Sequence, residues 1–154
     1  MYKLKPVDNK ILALLQQGDL CVPRISKIAH KVGLPTSTVQ SKINKMQQEG
    51  IIKEFIGLVD PEKIDKGFVG FLLGQAKLGK ELDFNKVIPQ LNKIKQIQEI
   101  FFITGDYDYL IKFRVKDQNE YYSVAQKIAQ CFEVRGKGFV APKCFKDSPK
   151  IEIE

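Results

Sequence analysis

Two helical stripes separated by only three residues, Gly33-Leu34-Pro35, constrain the fold of this 154-residue chain more than any other feature. Upstream, Ile25, Ile28, Ala29 and Val32 recur at helical spacing; downstream, Val39, Ile43 and Met46 do the same. Glycine stops a helix in the left-handed conformation, and proline is accepted at the start of the next one. Helices joined this tightly cross at a steep angle, the helix-turn-helix arrangement. A stripe further upstream, Val7, Ile11, Leu14 and Leu15, lies between Asp8 and Gly18 and predicts a preceding helix. Pro23 suits the first turn of the second helix, and Gly50 closes the third.

The third helix has an unusual outer face: Thr36, Ser37, Thr38, Gln40, Ser41, Lys42, Asn44 and Lys45, with no acid before Glu49. Hydroxyls and amides bond base edges and phosphates, and lysines neutralise phosphates. Charge agrees. Residues 1–56 hold nine Lys/Arg against four Asp/Glu, whereas residues 57–154 hold sixteen against fourteen. A basic module joined to a nearly neutral one is expected to meet a polyanion, here double-stranded DNA.

From Ile51 the pattern changes. Ile51-Ile52 and Phe55-Ile56 read as a short extended segment, and Val59-Asp60-Pro61 breaks the chain before a turn to Gly67. Beyond it the order is a strand near 68–78, a helix near 83–95, strands near 97–104 and 108–115, a helix near 118–131 and a strand near 138–146. The first of these helices places Phe84, Val87, Ile88, Leu91 and Ile94 on one face, the second Tyr121, Val124, Ala125, Ile128 and Phe132. In the third strand Tyr109, Ile111, Phe113 and Val115 alternate with Asp108, Leu110, Lys112 and Arg114, a sheet with one packed face. This is α+β: a helix-turn-helix domain over 1–52, a hinge over 53–66 and a ferredoxin-like βαββαβ domain over 67–154. Pro142 is read inside the last strand, which this topology places at an edge, and the 150–154 tail as an extra strand or a frayed end.

Several classes are excluded. No apolar run approaches the ~20 residues that span a bilayer, and the N-terminus lacks the apolar core of a signal peptide, so a cytoplasmic protein without a membrane partner is expected. Cys21, Cys131 and Cys144 fit neither a disulfide framework nor a zinc pattern and read as reduced, half-buried thiols; His30 stands alone. No metal site, cofactor or catalytic constellation is expected, and the chain is read as a non-enzyme.

Two segments resemble the Lrp/AsnC ("feast/famine") family of transcription regulators: GLPTSTVQSKINKMQQEGII at 33–52, and ITGDYDYLIKF at 103–113, which is similar to the family's Gly-x-x-x-Asp effector loop. The resemblance implies a sequence-specific regulator that dimerises through its C-terminal sheets, assembles to tetramers or octamers and binds palindromic operators. It further implies an amino-acid effector at the oligomer interface, with Gly105 and Asp108 holding the ligand's polar groups and Thr104, Asp106 and Tyr107 completing the loop. The chemistry suits the role, because glycine admits backbone N–H groups to a carboxylate and aspartate accepts bonds from an ammonium.

The chain departs from the family in three places. Lys42 stands where arginine is usual and cannot make the planar two-pronged contact to guanine, leaving phosphate and base contact both open. Pro35 replaces the usual serine, and the last strand lacks its threonine-containing ending. A ligand-independent, architectural DNA-organising protein is the alternative reading.

Overall fold

The computed structural model describes residues 21–75, 84–131 and 135–149 and separates the chain into two compact units, 1–59 and 60–154. The expected helix around 7–15, Phe132 and the 150–154 tail lie outside the described residues.

In the first unit, α1 spans Ile25–Val32 and α2 spans Thr36–Gln48. Ala29, Val39 and Ile43 form the buried centre, and Ile25, Ile28, Met46, Ile52 and Phe55 pack around it. Gly33 ends α1 with φ +66°, and Leu34 N–H returns to the Ala29 carbonyl at 3.1 Å, so the three-residue turn is a left-handed stop. Gly50, at φ +68°, does the same for α2 while Ile51 and Ile52 N–H both return to Met46. Both prolines sit earlier than expected. Pro35 is the residue before α2, outside the helix by its extended ψ of 145° although its φ of −59° is helical, and Pro23 lies two residues ahead of α1. The 51–56 segment pairs with no described strand; Ile52 and Phe55 bury against the helices instead.

The second unit opens with a short 3-10 turn, Glu62–Ile64, and continues as β1 (Phe68–Gln75), α3 (Phe84–Leu91), β2 (Ile97–Phe102), β3 (Tyr109–Val115), α4 (Gln118–Cys131) and β4 (Arg135–Ala141). All pairs are antiparallel in the order β2-β3-β1-β4, the ferredoxin-like arrangement. Tyr109, Ile111, Phe113 and Val115 are buried with Leu91, Tyr121, Val124 and Ile128, so the strict alternation of β3 marks its helix-covered face. The outer face carries Phe71, Leu73, Leu110, Phe101 and Phe139, apolar and partly to largely exposed.

Three boundaries shift for identifiable reasons. The last strand is 135–141, so Pro142 follows it rather than lying inside; a residue without an N–H ends the ladder. Pro89 lies inside α3 and removes one helical bond, and the helix closes at Leu91 through tighter bonds from Lys93 and Ile94 N–H to Gln90 and Leu91. β2 ends at Phe102, and Ile103 N–H donates to the Asp108 carbonyl in the same β2–β3 register, closing the loop that follows. Cys144 is exposed rather than half-buried, whereas Cys21 and Cys131 are half-buried.

Glu120 ties this unit together. Its carboxylate accepts Lys116 N–H at 2.7 Å, Lys66 Nζ at 2.9 Å and Gln96 Nε2 at 3.1 Å, while its own N–H is capped by Asp117. The Lys116 backbone donor, then Lys66 and Gln96, pull its pKa down to about 2. A carboxylate depressed in the folded state stabilises above its unfolded pKa and loses that contribution as pH falls through the folded value. The stability of wild type, read by urea denaturation, should therefore decline between about pH 5 and pH 2, and Glu120→Gln should flatten that decline.

Candidate nucleic-acid interface and effector loop

The α2 face expected to meet DNA is solvent-exposed except for Thr38, which is half-buried. Ser37, Gln40, Ser41, Asn44 and Lys45 line one shallow surface depression together with Gln48 and, at its C-terminal end, the acidic Glu49. At about 100° per residue, this row lies opposite the buried Val39 and Ile43. Lys42 lies on the flank of that row, about 100° from Ser41, and the depression does not include it. Gln40 Nε2 donates to Asn44 Oδ1 at 2.8 Å, holding two amides in a fixed pair. The helix starts without a side-chain cap or an acid in its first turn, so its first N–H groups and the positive end of its dipole remain available to a phosphate. A second basic surface was not anticipated: Arg24, Lys27 and Lys31, all exposed, lie at or near helical i, i+4 spacing along α1. That spacing is readable in the sequence, but without the fold nothing distinguishes it from an ordinary solvated face.

The expected effector residues occupy the β2–β3 connection. Thr104, Gly105 and Asp106 are exposed; Tyr107 and Asp108 are half-buried. Gly105 has φ +118°, and a Cβ built there would meet nothing within 4 Å, so conformation rather than crowding demands glycine. The loop is fastened to the end of β1: Asp108 N–H donates to the Gly74 carbonyl at 2.8 Å, and Gln75 Nε2 donates to the Asp106 carbonyl. Lys137 Nζ of β4 lies 5.9 Å from the Tyr107 ring centroid. Gln75 and Lys137 were not identified from sequence, since they reach the loop only through strand pairing. Burial, and then the Asp108 charge, push the Tyr109 phenol up to about 12, so it stays a proton donor beside the loop. Among the described residues there is no cluster of three His, Cys, Asp or Glu able to hold a metal, and no helix long and apolar enough to cross a membrane.

An uncapped, acid-free second helix in a helix-turn-helix and a glycine-hinged loop on a βαββαβ sheet define a DNA-binding module joined to a ligand-binding one. The chain belongs to the Lrp/AsnC family of transcription regulators. Residues 4–53 match the winged helix-turn-helix DNA-binding profile and residues 74–136 the Lrp/AsnC ligand-binding domain. The HTH-type transcriptional regulator FL11 of Pyrococcus horikoshii is 32% identical over 153 residues, covering 98% of this chain and 97% of the relative. An AsnC family regulator from Agrobacterium tumefaciens superposes with TM-score 0.76 at 23% identity over 97% of each chain. A feast or famine regulatory protein from M. tuberculosis, solved with L-methionine, superposes with TM-score 0.74 at 18% identity, covering 97% of this chain and 99% of that one.

The strained glycine yields a direct test. Gly105→Ala should cost on the order of 1–3 kcal/mol of stability because no other residue adopts this φ without strain, whereas the exposed Thr104→Ala should be near neutral. Equilibrium denaturation of the two variants compares them.

Proposed function

We propose that the chain is a sequence-specific DNA-binding transcription regulator whose assembly and operator affinity respond to an amino acid held by residues 103–108. The observation that carries this reading is the presence, in one chain, of an acid-free recognition face on α2 and a loop whose φ +118° glycine stands three residues before a half-buried aspartate. Thr36, Ser37, Gln40, Ser41, Asn44 and Lys45 meet the major groove, Thr38 supports that face from its half-buried position, and Lys42 approaches the flanking phosphates. Gly105 brings backbone donors to the ligand carboxylate and Asp108 takes its ammonium, with Thr104, Asp106 and Tyr107 around them. The L-methionine held by the M. tuberculosis relative supports an amino acid as the class of effector.

The outer sheet face supports assembly. Phe101 and Phe139 are 46% and 47% exposed beside the half-buried Phe71, Leu73 and Leu110, a surface that a second copy would cover. A symmetric dimer of this kind presents two α2 helices to a palindromic operator, and further association gives tetramers or octamers.

Two experiments test the reading. Lys42→Ala and Lys45→Ala should weaken binding to all DNA sequences alike, each lowering the salt slope by about one, whereas Ser37→Ala or Gln40→Ala should relax preference at particular base pairs at about 1–3 kcal/mol each. Salt-dependent fluorescence anisotropy separates these effects, and four unchanged variants would show that α2 is not the reader. Separately, Asp108→Ala should abolish amino-acid binding in calorimetry, a loss of about 2–5 kcal/mol, while ligand-free DNA affinity stays within a few-fold. Undiminished ligand binding would place the effector elsewhere.

A further inference from the structure

We propose that Lys137 sets the side-chain specificity of the effector loop and that the effector is an amino acid with an acidic side chain. This rests on the reading of 103–108 as the effector loop and adds the ligand class to it. Lys137 of β4 stands opposite Leu73 of β1, which in turn stands opposite Leu110 of β3. One strand, β1, therefore separates Lys137 from the strand into which the loop runs, and Tyr107 spans the gap: the Lys137 ammonium lies over its ring at 5.9 Å from the centroid. The negative face of the ring orients the cation toward the loop without consuming its charge.

Two other cations of this sheet face whose side chains are described are already engaged. Lys112 pairs with Glu99 at 2.9 Å, and Arg114 pairs with Asp147 at 2.6 Å and Gln98 at 3.0 Å. Among the described residues no carboxylate forms an ion pair with Lys137, whose aromatic contact is with Tyr107 of the loop.

An amino acid held by its carboxylate at Gly105 and its ammonium at Asp108 sends its side chain either into solvent or along Tyr107 toward Lys137. A terminal carboxylate there gains a charge-assisted hydrogen bond. The isosteric amide gains a neutral bond about half as strong, and a cationic side chain meets like charge. Discrimination of glutamate from glutamine by about tenfold is the size expected of that difference.

Calorimetric titration of the full chain with L-glutamate, L-aspartate, L-glutamine, L-methionine and L-lysine tests this, comparing wild type with Lys137→Met, Lys137→Gln and Asp108→Ala. Lys137 is exposed, so both of its variants should fold, and far-UV circular dichroism checks that they do. Wild type should bind glutamate or aspartate about tenfold tighter than glutamine, and both Lys137 variants should lose that preference while glutamine binding stays within about threefold. Acidic ligand that binds wild type no better than glutamine, methionine or lysine overturns the inference. So does a preference that survives in both Lys137 variants while Asp108→Ala abolishes binding, an outcome that leaves the loop reading intact. Binding that Asp108→Ala leaves unchanged, or no binding of any of the five, overturns the loop reading together with this inference.

Discussion

The second unit depends on aromatic rings of β3 lying across glycines of β1. A Cβ at Gly74 would fall 1.7 Å from Cζ of Tyr109, and one at Gly70 would fall 2.5 Å from Cζ of Phe113 and 2.8 Å from Tyr121. These gaps set the register: Gly74 must face Tyr109, and Gly70 must face Phe113, because a slip would drive a ring into a side chain. Phe113 and Tyr121 then stack with ring centroids 5.3 Å apart, which brings α4 onto the sheet. The β4 glycines complete the pattern. Tyr121 Oη approaches the space above Gly138, and the Tyr109 hydroxyl lies close to Gly136. The same register fastens the loop, since Asp108 reaches Gly74 only when Tyr109 lies opposite it.

Charge pairs then hold the periphery. Asp147, in the segment after β4, bonds Arg114, which is only 9% exposed, and lies 3.9 Å from Lys112. Glu120 gathers Lys66 from the segment before β1, Gln96 from the turn before β2 and Lys116 from the turn between β3 and α4. Both clusters fasten connecting segments to the sheet. Partly exposed pairs of this kind contribute modestly to stability each, and their main effect is to fix where the chain enters and leaves the sheet.

DNA chemistry and ligand chemistry occupy different compact units, so one can influence the other only through a change of state that both sense. A ligand shifts such an equilibrium by no more than its differential affinity for the two states. A loop fastened at Gly74 and Gln75 is well suited to this: the strand that anchors it also carries Phe71 and Leu73 on the uncovered sheet face where a second copy would pack. On the proposed function, an effector that bound one association state better than another would bias association, and association would set how many α2 helices reach DNA together.

Local physics made much of this legible in the sequence. Helical stripes and left-handed glycine stops are short-range properties, so α1, the turn at Gly33 and α2 could be read directly, as could the acid-free face of α2. Strict alternation from Tyr109 to Val115 identified the helix-covered face of β3. What sequence could not show depends on partners distant along the chain. Gln75 and Lys137 are unremarkable residues until β1 and β4 pair beside one another. The burial of Arg114 follows from Asp147 33 residues away, and Gly70 and Gly74 acquire their purpose only under the rings of Phe113 and Tyr109. The last strand's end shifted for the same reason: ladder bonding, not side-chain pattern, decides where a strand stops, and proline at 142 is felt only once the neighbouring strand is in place.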